Sequence, residues 1–168
     1  LALDLKGYGL ADKGFAQNYT HASQADFVAQ VMTAVGIERG TLIGHSLGGS
    51  IIAHFAQRHP ERVERLVFVD GALREAGSSG GSILGLPMQL GALAKFPPFQ
   101  RWGQLLLRSF LTRQRMGEVF RSAYYVKSAA TPEVEESYLQ VLKMKGWDLA
   151  LLGVVRDSGA SALEKPPA

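Results

Sequence analysis

The chain has no cysteine. That excludes a disulfide framework, a thiolate metal site and a cysteine nucleophile, and it fits a reducing compartment, so a cytoplasmic location is expected. Histidine is scarce: only His21, His45, His54 and His59 occur, all before residue 60. No apolar run approaches the ~20 residues that a membrane span needs. No basic-then-apolar leader opens the chain, which starts at Leu1 without a Met. Charge of one sign is lacking too: Lys+Arg 18 against Asp+Glu 15 leaves a net +3, too little to argue for nucleic acid. No His or carboxylate spacing marks a metal site, and no cofactor is called for.

Glycine is abundant, 19 of 168 residues. It is used where a backbone turns tightly or approaches another closely. Hydrophobic residues at 46% and charged residues at 20% describe a globular chain rather than a disordered one. A chain of this length buries roughly 70% of its unfolded surface, enough for a real core.

Leu1-Ala2-Leu3-Asp4-Leu5 alternates and runs into Gly7-Tyr8-Gly9, which predicts a strand ending in a glycine turn. Because Leu1 opens in that run, the chain is expected to be a piece of a longer one. Ser23 with Asp26 predicts a capping box. Phe27, Val28, Val31, Met32 and Val35 follow at helical spacing, and Gly36 is the stop. Thr41–Ile43 is a short strand. Leu47 to about His59 is a helix with Ile51, Ile52 and Phe55 as its buried stripe, and Leu66–Val69 is a further strand before Asp70-Gly71. Strand–helix alternation over 1–71 predicts an α/β fold: a parallel sheet with right-handed crossovers and helices on both faces, a three-layer α/β/α arrangement.

The pattern changes after Ala72. Gly77–Ser82 has linker composition. Helical stripes follow: Trp102, Leu105, Leu106, Ser109 and Phe110; then Met116, Val119, Phe120, Ala123 and Tyr124. Thr131 and Pro132 predict an N-cap and first helical residue, continued by Val134, Tyr138, Val141 and Leu142. Asp148 is placed as the cap of a last helix ending near Asp157. Lys165-Pro166-Pro167 is linker-like again. The expected division is 1–72, a partial core; 73–164, an all-helical cap; and 165–168, the start of a return to the core.

Gly44-His45-Ser46-Leu47-Gly48 matches G-x-S-x-G. The bare pattern is weak, but here it falls between the end of a strand and the start of a helix, where a nucleophile elbow belongs. A serine hydroxyl attacks only if a base takes its proton. A tight strand–turn–helix bend would push the Ser46 oxygen out of the sheet. Gly44 and Gly48 are expected to lack side chains because the elbow is crowded, and Gly49 to let helix and strand approach. The Leu47 N–H would lie at the helix N-terminus, ready to donate to a developing oxyanion.

Leu3–Gly9, Gly44–Gly49 and Leu66–Asp70 together resemble the alpha/beta-hydrolase superfamily, in particular its bacterial members with a helical cap. The likeness is specific over 1–72; beyond that only position and helical character match. It implies that Ser46 is the nucleophile and that Leu47 supplies an oxyanion N–H. It also implies an acid and then a histidine base later in the chain. None of the four histidines stands in such a place, so both base and acid are expected outside the chain, as is a second oxyanion donor upstream of Leu1. Asp70 ends a strand at a position some relatives use for the acid; the alternative is that it stabilises the Asp70-Gly71 turn.

His45 is read as packing beside the elbow or lining a pocket, His54 and His59 as solvated or capping, and His21 as a loop residue. Asp4 and Asp12 are expected to bond the backbone around the glycine turn. Between Lys95 and Lys127 stand seven basic residues (Lys95, Arg101, Arg108, Arg113, Arg115, Arg121, Lys127) and one acid, Glu118. Two readings stay open for that segment: a cap helix with an apolar underside and a solvated basic face, or a surface resting on an anionic membrane. The function expected is serine hydrolysis of a small to medium apolar ester, lactone or related acyl substrate. Carbon–carbon bond hydrolysis and cofactor-free haloperoxidase-type chemistry share the framework. The rival is a non-catalytic small-molecule binder on the same fold. The chain alone is expected to be inactive or nearly so.

Overall fold

Asn18 sets the start of the first helix. Its side-chain oxygen accepts the Thr20 N–H (2.9 Å) and hydroxyl (2.7 Å), and the Thr20 hydroxyl in turn accepts the Ser23 N–H at 3.3 Å. Helix α1 (His21–Ala34) is therefore capped by Thr20. The expected Ser23–Asp26 box does not form, and His21 is helical rather than in a loop. At the other end Gly36, at φ +75°, donates to Thr33 O while Ile37 donates to Met32 O. This is the paired bonding that a left-handed residue after the C-cap permits. The structure is a computed structural model, and it describes residues 1–70 and 97–157. Gly77–Ser82 and Lys165–Pro167 lie outside the described residues.

Strand β1 (Gly40–His45), helix α2 (Leu47–Arg58), a 3-10 turn (Pro60–Arg62) and strand β2 (Val63–Val69) follow. The strands pair in parallel, in register from Thr41↔Arg65 to His45↔Val69, with an irregularity after Gly40. Helix α2 packs on both strands and α1 packs on α2. The described residues thus hold the parallel sheet and one helical layer of the expected fold.

Ile51, Ile52 and Phe55 are buried as the stripe predicts. On α1 the buried face is Ala25, Ala29 and Met32 with Gln24, whereas Phe27, Val28 and Val31 are half-buried and Val35 is exposed. The two alanines let α1 approach α2 closely, a packing reason that hydrophobic size alone does not reveal. Arg62 ties this layer together. Its guanidinium donates to Ala29 O (2.9 Å), Thr33 Oγ1 (2.9 Å), Ile37 O (2.7 Å) and Glu38 O (3.1 Å). It thereby ties the last turns of α1 to the loop that follows, where the Ile37 and Glu38 carbonyls lie outside any helix.

Leu1–Leu5 is not a strand: it joins no ladder. An extended segment becomes a strand only through a bonded neighbour, and the described sheet pairs only β1 with β2. Its polar groups bond locally instead. Tyr8 N–H donates to Leu5 O and Leu10 N–H to Asp4 Oδ2 (2.8 Å), and Lys13 N–H donates to Asp12 Oδ1 (2.8 Å). The two aspartates therefore bond the backbone around the glycine turn as expected.

The described residues fall into two compact units, Leu1–Gln17 with 97–156, and 18–70 with Asp157. The first is bound together by Arg156, which donates to Phe15 O (2.8 Å) and Gln17 O (2.6 Å) and lies over the Phe15 ring, 4.9 Å from its centroid. From residue 97 onward the described elements are all helical: α3 (Pro97–Phe110), α4 (Arg113–Ala123), α5 (Pro132–Leu139) and α6 (Trp147–Asp157). Thr131 caps α5 with Pro132 behind it, accepting Val134 N–H at 3.4 Å, as predicted. Asp148 is not outside α6 as a cap but inside its first turn, 1% exposed, accepting from Arg108 Nε (2.7 Å) and Gln104 Nε2 (3.0 Å). Among the described residues no helix is long and apolar enough to cross a membrane.

Candidate active site

Strand β1 ends at His45 and helix α2 begins at Leu47, so Ser46 alone makes the bend. Its backbone sits at φ 50°, ψ −115°. That region is costly for a residue with a Cβ, by about 1–3 kcal/mol, and persists only when the surroundings enforce it. Three features enforce it here. Ser46 N–H donates to Val69 O of the neighbouring strand at 3.0 Å, and Ser46 O accepts the Gly49 N–H at 2.9 Å. A Cβ on Gly44 would lie 2.3 Å from Gly48 O and 2.7 Å from Gly49 N, so the first glycine of the motif is required by backbone passing over it. The bend leaves Ser46 exposed.

Gly48 differs from the expectation. A Cβ there would meet nothing within 4 Å, because it stands on the open side of the first turn of α2. Gly49 is buried. Leu47 opens α2, so its N–H has no carbonyl a turn behind it inside the helix, and the helix dipole favours negative charge there. His45 is exposed.

Asp70 follows Val69 as Ser46 follows His45, and those two residues are register partners. Ser46 and Asp70 are thus the first residues beyond the ends of adjacent parallel strands. They are also the two non-glycine residues with positive φ among those described; Asp70 stands at 47°. Asp70 is exposed, and Gly71, its expected turn partner, lies outside the described residues.

The other histidines lie elsewhere. His54 is not solvated: it is 4% exposed, with its ring edge-on to His21 at 5.6 Å between centroids. The sequence signal was present, since residue 54 is three beyond Ile51 and next to Phe55 on the buried face. His59 caps the end of α2 and places Nε2 2.9 Å from Asp26 Oδ1. Arg58 grips the same carboxylate with two bonds, Nε at 2.8 Å and Nη2 at 2.6 Å. That bonding, with His59 adding to it, holds the Asp26 carboxyl below its ordinary pKa. Asp26 joins α1 to α2, a role hidden from local reading because its partners are 32 and 33 residues away. Among the described residues no group of three or more His, Asp or Glu could hold a metal ion.

The arrangement offers an exposed hydroxyl on an enforced bend, beside a helix N-terminus. It is suited to attack on a carbonyl with the resulting negative charge held by backbone N–H groups. Residues 1–141 match the family described as alpha/beta hydrolase fold. An uncharacterised protein of Mycobacterium tuberculosis is 34% identical over 106 residues, 55% of this chain and 31% of that protein. A 2-hydroxymuconate semialdehyde hydrolase of Pseudomonas putida is 36% identical over 69 residues, 41% of this chain and 25% of the enzyme. Among solved structures, Cfl2 from Burkholderia cenocepacia superposes with a TM-score of 0.72 at 21% identity, over 94% of this chain and 53% of that one. The chain therefore spans about a third or less of these two relatives and about half of that structure. On the matched residues, the parallel strands and the strand–serine–helix bend, this chain belongs to the alpha/beta-hydrolase family.

Proposed function

We propose that the protein is a serine hydrolase in which Ser46 attacks an acyl carbonyl and the Leu47 N–H stabilises the oxyanion, giving an acyl-enzyme that water then cleaves. The single observation that carries this reading is the φ 50°, ψ −115° backbone of an exposed Ser46 between β1 and α2. A side-chain-bearing residue stays in that conformation only under constraint. Asp70 ends the strand adjacent to Ser46, at a position some relatives use for the acid; the alternative remains that it stabilises the turn at that strand end. His45 is the motif's neighbour of the nucleophile and too close in the chain to take its proton in line. His21, His54 and His59 are tied into the α1–α2 layer. The base is assigned to residues other than these four.

The substrate class we favour is a small to medium apolar ester, lactone or related acyl compound. Hydrolysis of a semialdehyde is the second reading, favoured by the likeness to a 2-hydroxymuconate semialdehyde hydrolase, and carbon–carbon bond hydrolysis shares the same framework. Both use the same serine and oxyanion donor. The test is labelling by a fluorophosphonate probe in the full-length protein. Labelling that vanishes in Ser46→Ala supports the enzyme. A protein that folds and binds small apolar ligands but does not label is the non-catalytic binder instead. The 168-residue chain tested alone is expected to show no esterase turnover above its Ser46→Ala variant.

A further inference from the structure

Helix α3 has two apolar faces. One is buried: Leu107 is 4% exposed, and a Cβ on Gly103 would come within 3.2 Å of Leu152 on α6. The other carries Trp102, Leu105, Leu106 and Phe110, spaced i, i+3, i+4 and i+8 and exposed by 65%, 54%, 55% and 43%. The apolar underside expected from the sequence is therefore a second stripe, and the stripe that holds α3 in place is a different one. Contiguous apolar surface of this kind marks an interaction site rather than ordinary solvated surface.

The charges around the stripe indicate its partner. Helix α3 has no acidic residue. Arg101 and Arg108 border the stripe along the helix, and the Arg115 guanidinium sits 4.8 Å over the Phe110 ring at its end. Two other arginines of the basic segment are matched by acids of α5, Arg113 by Glu136 and Arg121 by Glu135. Among the described arginines of the segment, the cationic margin of the stripe is Arg101, Arg115 and the 60% exposed Arg108, which also holds Asp148. Trp, Leu and Phe on one face with arginines at its margin are the elements of a helix that lies in a bilayer interface. A second copy laid face to face would set arginine margin against arginine margin; an anionic headgroup layer complements it.

We propose that α3 docks on anionic lipid bilayers, with Trp102, Leu105, Leu106 and Phe110 entering the headgroup–acyl boundary and Arg101 and Arg115 contacting lipid phosphates. The proposal is independent of the chemistry at Ser46. The test uses the whole chain and vesicles of phosphatidylcholine with or without one-third phosphatidylglycerol, read by co-sedimentation and by Trp102 emission in a Trp147→Phe background. Binding and a blue shift with the anionic vesicles only, weakened by salt, are expected. Arg101→Gln and Arg115→Gln should each weaken binding about fivefold, and Leu106→Ser about tenfold, with unchanged circular dichroism. Equal binding to both vesicle types, or variants that bind like the parent, would overturn it. So would a concentration-dependent dimer by light scattering that Leu106→Ser abolishes, which would give the stripe to a second copy.

Discussion

The two glycines that frame the serine should respond oppositely to the same change. Gly44→Ala places a methyl 2.3 Å from Gly48 O, 2.4 Å from Gly48 C and 2.7 Å from Gly49 N. These are backbone atoms at the start of α2, so no side chain can swing aside. Either α2 moves off β1 or the Ser46 bend opens. Overpacking of this kind costs about 1–3 kcal/mol when side chains can adjust, and the upper end applies where backbone must give. For a protein of 150–250 residues, 3 kcal/mol lowers Tm by about 6–12 °C. Gly48→Ala meets nothing within 4 Å, and Gly48 is absent from the positive-φ residues. Replacing a helical glycine with alanine there should raise stability by about 0.5–1 kcal/mol. Thermal melts of the two variants, with fluorophosphonate labelling of each, make the comparison. Gly44→Ala should lose both stability and labelling, while Gly48→Ala keeps its fold. Equal losses from the two changes, or a harmless Gly44→Ala, would refute the claim that backbone crossing over Gly44 builds the elbow.

Ser46→Gly should raise stability by about 1 kcal/mol by relieving the left-handed backbone, while abolishing labelling; urea denaturation measures the first and a fluorophosphonate gel the second. Arg62→Met should cost about 2–3 kcal/mol, since three carbonyls and Thr33 lose their donor, and hydrogen exchange should show loosening at Ile37–Gly40 before β2. Asp26 is held below its usual carboxyl range by Arg58 and His59, so its contribution to stability is present above about pH 4 and is lost as the pH falls through its depressed value. Denaturation across pH should show Asp26→Asn less stable than the parent at neutral pH and the gap closing below about pH 4; a gap that widens in acid would contradict that sign. Glu136, pulled down to about 2 by Arg113 and Lys143, should titrate by NMR well below an ordinary glutamate and return toward it in Arg113→Ala.

The elbow was legible because it is local. A short apolar run, Gly44-His45-Ser46-Leu47-Gly48 and a helical stripe at Ile51, Ile52 and Phe55 lie within one strand, one bend and one helix, and each follows from backbone sterics and periodicity. The Gly36 stop and the Thr131–Pro132 start were readable for the same reason. Leu1–Leu5 was misread as a strand because alternation reports what a segment can do, while pairing depends on a neighbour. The Thr20 cap displaced Ser23 because Asn18 orients the earlier hydroxyl, a contact that the S-x-x-D pattern ignores.

By itself the sequence determined the order of elements, the serine at the bend and the family likeness, all properties of neighbouring residues. Only the tertiary structure decided that Gly44, and not Gly48, is indispensable; that His54 is buried against His21; that Asp26 clamps Arg58 and His59; and that Ser46 and Asp70 end adjacent strands. Each of these depends on which backbone passes within a few ångströms of another. That is set by how helices and strands settle against one another, not by the spacing of residues along the chain.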